Sequence, residues 1–127
     1  MWVTKYRYHV LQGEIAQRAR DIIRASCMQH EVLILKGHVS RDHVQLFVSA
    51  PPSLAVSDML QSSKGKSSRK LQEEYPTLNT RYGGRHLWAR GSCCASAGTV
   101  TDEMITTYIE QHERPQADVF TVAAEAQ

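Results

Sequence analysis

The run Gly37-His38-Val39-Ser40-Arg41-Asp42-His43-Val44-Gln45-Leu46-Phe47-Val48-Ser49-Ala50-Pro51-Pro52 constrains this chain more than any other segment. Its apolar stretch from Val44 to Val48 reads as a strand, and the two prolines end it. Successive side chains of a strand point to opposite faces, so His43 and Gln45 share one face while Val44 and Leu46 share the other. One face is thereby committed to a core. The other carries two groups able to ligate a metal ion, a layout that suits metal-assisted cleavage of a phosphodiester.

The remaining periodicities place this strand in a sheet backed by helices. Trp2 to Val10 mixes β-branched and aromatic residues with Lys5 and Arg7, as a half-exposed strand does, and Gly13 punctuates the chain. From Glu14 to Gln29 the residues Ile15, Ala19, Ile22, Ile23 and Cys27 recur at helical spacing. Glu31 to Lys36 is a second short apolar strand, adjacent to Val44–Val48. Ser53 or Ser57 then caps a helix carrying Leu54, Val56, Met59 and Leu60. The polar stretch from Ser62 to Ser68 interrupts it, and the pattern resumes at Arg69-Lys70-Leu71 until Pro76, so two helical pieces joined at Gly65 are expected.

Leu87-Trp88-Ala89-Arg90 begins another strand. Gly98 to Glu103 opens a helix with an acidic first turn, as the helix dipole prefers, and Tyr108 lies on it. The order β-α-β-β-α-β-α implies an α/β sandwich, helices packed on a mostly antiparallel sheet. Residues 1–114 read as one domain and residues 115–127 as a loosely packed tail, because Val119, Phe120 and Val122 show no firm period.

With 127 residues and 42% hydrophobic content the chain can build one core but not two. No run approaches the roughly 18 apolar residues of a membrane span, and the N-terminus lacks the layout of a signal peptide, so a cytoplasmic protein is expected. Cys27, Cys93 and Cys94 form neither a zinc-binding spacing nor a disulfide framework. The net charge of +2 conceals an uneven spread, since Lys64, Lys66, Arg69, Lys70, Arg81, Arg85 and Arg90 fall in a segment with few acids. A basic surface of that kind fits a polyanionic partner, whereas a solvated helix face is the plainer reading.

Four residues apart on the final helix, Tyr108 and His112 stack on one face, beside an apolar stripe of Ile105 and Ile109. His43, Gln45 and His112 would form a neutral nitrogen and oxygen set suited to Mg²⁺ or Mn²⁺, with water and phosphate oxygens completing the shell. Tyr108 would then attack phosphorus, given help in losing a proton whose reference pKa is about 10. Each group also has a structural counterpart: a histidine beside a strand is commonly a satisfied polar group, and a tyrosine on an amphipathic helix is commonly core. A phosphodiesterase that activates water instead is a further alternative.

The segments Val3-Thr4-Lys5-Tyr6-Arg7, Gly37-His38-Val39, Asp42 to Pro52, Lys64-Gly65-Lys66-Ser67-Ser68-Arg69, Leu87 to Gly91 and Tyr108-Ile109-Glu110 occur here in a fixed order. In that order they resemble the small bacterial insertion-sequence transposases of the single-tyrosine HUH type, often called TnpA-like. The resemblance spans about residue 2 to residue 112 and rests on the ordered set more than on any one motif. It implies an RRM-like or ferredoxin-like fold with a tyrosine-bearing C-terminal helix. It further implies a homodimer with composite active sites and a metal-dependent endonuclease that cuts and rejoins single-stranded DNA through a 5′-phosphotyrosine. By position, His43 matches the first histidine of the His-hydrophobic-His motif and Tyr108 the nucleophile.

The chain departs from that pattern at informative places. The second histidine of the motif is Gln45 here, and the family's usual third ligand, a glutamine four residues after the tyrosine, is His112. The exchange leaves two imidazoles and one amide for the metal. A shortened first strand with an unpaired edge is expected, because relatives carry more residues before the position of Trp2. Ser92-Cys93 replaces a larger Tyr-Phe pair, which points to reduced stability before reduced chemistry. The resemblance also implies recognition of hairpin element ends, with Lys64, Lys66, Arg69, Arg81 and Arg85 as phosphate contacts. The rival within the same fold is a non-catalytic hairpin DNA-binding protein, decayed or host-adopted.

Overall fold

A computed structural model describes residues 1–50, 55–92 and 120–123. The expected helix with Tyr108, the cysteines 93 and 94, Pro51-Pro52 and most of the tail lie outside the described residues. Helix α1 spans Gly13–Gln29 and buries Ala16, Ala19, Ile22, Ile23, Ser26 and Cys27, the spacing of a single helical stripe. It stops at a Schellman-type turn, with the Val32 amide donating to Cys27 O (2.8 Å), the Glu31 amide to Met28 O (3.1 Å), and Glu31 itself left-handed at φ 58°. The chain is thereby turned directly into the sheet.

The sheet contains β1 (Trp2–Val3), β2 (Leu33–Val39), β3 (His43–Ser49) and β4 (Phe120–Val122) in the spatial order β1-β3-β2-β4. The β1/β3 and β2/β3 pairs are antiparallel, and β4 runs parallel to β2. On the far side of β1, Lys5 N donates to Leu87 O at 2.8 Å and Ala89 N to Val3 O at 2.9 Å, around a Thr4–Trp88 bridge. With that bridge counted, the order 87–89, β1, β3, β2 is the split βαβ arrangement of a ferredoxin-like sheet, as expected, and β4 is an addition outside β2. The expected strand at Leu87 is thus a single bridge among the described residues. It also covers the edge that a shortened β1 would leave open, and β1 is indeed short.

One face of the sheet is packed. Trp2, Val39, Val44 and Phe120 are buried there in the core with α1 and α2, and the Trp2 and Trp88 rings meet edge to face at 5.9 Å. Helix α2 runs unbroken over Val56–Glu74 and corrects the expectation of two pieces joined at Gly65. Gly65 is exposed, and a Cβ there would meet nothing within 4 Å, so it is a weak helix former on an outward face and no joint. The buried face of α2 is rich in serine: Ser63 and Ser67 are sealed, and Ser63 Oγ and Ser62 Oγ both reach Ser26 Oγ on α1, at 3.3 and 3.2 Å. Short side chains let the two helices approach closely while every hydroxyl keeps a partner. Pro76 opens helix α3 (Pro76–Tyr82), which closes on Gly83 at φ 60°.

Of the expected tail, residues 120–123 are described, and there Phe120 is fully buried and pairs with Gly37. A Cβ on Gly37 would lie 2.9 Å from both Leu46 Cδ2 and Phe120 Cδ1, so the missing side chain is the space into which two neighbouring strands insert theirs. The Phe120 ring also sits 6.0 Å from the Arg24 guanidinium, and Arg20 Nη1 donates to its carbonyl at 3.4 Å. Phe120→Ala is expected to cost about 3–5 kcal/mol and Gly37→Ala about 1–3 kcal/mol in urea denaturation, because one empties and the other overfills the same contact. A midpoint unchanged by Phe120→Ala would show that β4 is not part of the folded core.

Candidate functional site

The face of the sheet turned away from α1 and α2, open among the described residues, carries the candidate metal ligands. His43, Gln45 and Phe47 alternate outward along β3, and the β2 register sets His38 opposite Gln45 and Lys36 opposite Phe47. Val39 and Val44, also opposite one another, are fully buried on the other face. His43 and Gln45 therefore share one open face, as alternation alone requires. His112 and Tyr108, the other members of the expected set, lie outside the described residues.

His43 is oriented by its neighbour. Its Nδ1 lies 2.8 Å from Asp42 Oδ1, and Arg7 Nε donates to Asp42 Oδ2 at 3.1 Å. The hydrogen bond from His43, aided by Arg7, holds the Asp42 carboxyl below its usual range against the opposing effect of burial. An ionised carboxylate can only accept, so the ring proton sits on Nδ1 and the Nε2 lone pair is free to face a cation. Gln45 is exposed and directs its amide nitrogen to Met1 Sδ at 3.6 Å, which leaves its carbonyl oxygen as the donor atom of the pair. A pre-set imidazole and an amide oxygen on one face fit a hard or borderline divalent ion. Asp42 as the orienting group was missed by sequence reasoning, although the adjacent Asp-His pair is its visible signal.

The basic segment does not act as one surface. A groove of about 950 Å³ runs between α2 and residues 84–90, and Lys5, Lys64, Arg69, Arg85, His86 and Arg90 line it. Arg69 and Arg85 are exposed there. Lys64 is anchored, its Nζ donating to Ala89 O at 3.0 Å and Gly91 O at 2.9 Å, and burial lowers its pKa. Lys66 instead bonds Gln29 Oε1 on α1, and Arg81 stacks its guanidinium 4.2 Å from the Tyr8 ring. Of the five expected phosphate contacts, then, the structure brings Lys64, Arg69 and Arg85 together and places Lys66 and Arg81 elsewhere. Lys5 and His86 join the groove without having been singled out, because Lys5 arrives from the far end of the chain.

No helix of the described residues is long and apolar enough to cross a membrane. No group of at least three His, Cys, Asp or Glu side chains that could hold a metal occurs among the described residues.

Comparison with known proteins is consistent across sequence and structure. A family model described as "Transposase IS200 like" matches residues 1–112. The chain is 36% identical over 115 residues to the ISDra2 transposase TnpA of Deinococcus radiodurans, covering 90% of this chain and 82% of that protein. It is 32% identical over 110 residues to the transposase for insertion sequence element IS200 of Salmonella typhimurium, covering 87% and 72% respectively. A crystal structure from Deinococcus radiodurans, of a protein assigned as a transposase, superposes with a TM-score of 0.70 at 32% identity over 87% of this chain and 85% of that one.

The two kinds of groove lysine and arginine separate by experiment. Arg69→Ala and Arg85→Ala are each expected to weaken binding of a nucleic-acid strand and to lower the salt slope by about 0.7–0.9, with folding stability unchanged. Lys64→Ala strips a charged donor from two carbonyls and is expected to cost roughly 1–3 kcal/mol in urea denaturation as well. Equal stability losses in all three variants would refute this division of roles.

Proposed function

The chain belongs to the IS200-like transposase family, and from that premise we infer that it is a divalent-metal-dependent endonuclease and strand transferase for single-stranded DNA. The observation that carries the reading is the open-face pair of His43, pinned through Nδ1 by Asp42, and Gln45 beside it. That pair, with His112 as third donor, is proposed to hold Mg²⁺ or Mn²⁺. When bound, the ion supplies charge stabilisation and orientation at the scissile phosphate.

The protein's own groups supply the rest. The Tyr108 phenolic oxygen, its proton released to the site, forms a bond to phosphorus in line with the departing 3′-oxygen. The phosphorus–O3′ bond breaks, the leaving oxygen takes up a proton as a free 3′-hydroxyl, and the 5′-phosphate remains on Tyr108. Covalent storage preserves the bond for rejoining, which a water-activating nuclease would not do. Asp42 keeps the His43 proton on Nδ1, and Arg7 holds the other carboxylate oxygen of Asp42. Arg69 and Arg85 in the groove are proposed to hold the backbone of a hairpin DNA, Lys64 serving the groove's shape. A homodimer with composite sites, working in the cytoplasm, completes the proposal on the strength of the family resemblance.

The exchange of glutamine and histidine between positions 45 and 112 is read as compensated. A denaturing gel of the chain and its Tyr108→Phe variant, each incubated with labelled single-stranded DNA from the gene's flanks and Mn²⁺ or chelator, tests the whole reading. A covalent adduct is expected with Mn²⁺ alone and is expected to vanish in Tyr108→Phe. Cleavage that survives Tyr108→Phe would mean water is the nucleophile. Binding without an adduct would mean a DNA-binding protein that has lost its chemistry.

A further inference from the structure

His38 stands on the open face directly across from Gln45, the position where an imidazole gives way to an amide in this chain. Directly opposed residues of an antiparallel pair have Cβ atoms about 4.5–5.5 Å apart, and diagonal ones such as His38 and His43 sit at about 7–8 Å, within reach of long side chains. The two imidazoles are also set alike. His38 Nδ1 lies 2.9 Å from Thr121 Oγ1 on β4, and that hydroxyl donates its own proton to Gly37 O across 3.4 Å. With that proton on Gly37 O, the hydroxyl oxygen can accept from His38 Nδ1–H, the tautomer that leaves the Nε2 lone pair for a cation. His43 reaches the same state through Asp42.

We propose that His38 is a further ligand of the divalent ion held by His43 and Gln45, restoring from β2 the imidazole that β3 lacks, with Thr121 of β4 as the residue that positions it. This rests on the metal-dependent reading above, and it extends that reading from one strand to three. It gives β4 a second role: the strand whose Phe120 fills the core presents Thr121 to the opposite face. Metal-binding imidazoles generally carry such a partner on the other ring nitrogen, and losing it typically costs about 10–100-fold in affinity.

The test uses the full chain and Mn²⁺ alone. Titration followed by electron paramagnetic resonance gives the affinity, and pulsed spectra of the bound ion count the imidazole nitrogens coupled to it. His38→Ala is expected to weaken Mn²⁺ about tenfold or more and to lower the nitrogen count by one, with the urea midpoint near that of the parent. Thr121→Val, which keeps the shape and removes the hydroxyl, is expected to weaken Mn²⁺ with the count unchanged, and it decides the matter if His38→Ala fails to fold. Affinity within twofold of the parent in Thr121→Val and in any folded His38→Ala, while His43→Ala abolishes binding, would overturn the role of His38 and leave the metal-dependent reading standing. Absence of Mn²⁺ binding in the parent chain would overturn both.

Discussion

The register between β2 and β3 is the constraint from which the rest follows. Because side chains alternate with a period of two, pairing Val39 with Val44 and His38 with Gln45 sends Val39 and Val44 to the core and His38, His43 and Gln45 to the opposite face. A slip of one residue would bury His43 and expose Val44, so the hydrophobic burial that fixes the fold also fixes the site. The turn enforces it: Ser40 N donates to His43 O at 2.8 Å, leaving Arg41 and Asp42 as the reversal. Asp42 thus sits where it can reach the ring of the next residue.

Sequence reading recovered what is encoded locally and missed what is encoded by partners. The stripe of α1 and the alternation of β3 are periodic over many residues, so their faces are legible without any contact being known. Strand β4 is not, because three residues carry no period and its reason for forming is Gly37, more than eighty positions earlier. Gly65 misled for the opposite reason: a glycine inside a serine-rich stretch looks like a break, but serines that find acceptors such as Ser63 O for Ser67 let the helix continue. In the site, His43 and Gln45 were legible through alternation. The opposition of His38 to Gln45 requires a register that only the folded hairpin supplies. The grouping of Lys64 with Lys66 was a reading of charge along the chain, and residues two apart on a helix do not share a face.

Helix α2 holds the segment 85–91 by side chains where a longer strand would use a ladder. Trp88 Nε1 donates to Ser67 Oγ at 2.8 Å, the Leu87 amide to Ser68 Oγ at 3.1 Å, and Gln72 Nε2 to Arg85 O at 2.6 Å. Lys64 adds its bonds to Ala89 and Gly91. The serine face that admits α1 on one side therefore fastens the basic groove's wall on the other. The half-buried Lys64 is tolerated there because its charge is met by two carbonyls.

Groove and ligand face belong to different layers. The groove is built from α2 and the segment beside β1, whereas His38, His43 and Gln45 project from the other side of the sheet. On the proposed reading, a DNA hairpin held by Arg69 and Arg85 must send its single-stranded flank around an edge of the sheet to reach the metal, or reach a second copy of the chain. Among the described residues, the β4 side is occupied by an added strand and the β1 side by the 87–89 bridge. Charge follows the same route, since Lys5 lines the groove at the end of β1 and Arg7 lies just beyond it, tied to the Asp42 that orients His43. On the proposed reading, the two-residue β1 therefore makes this edge the short way between the groove and the ligand face.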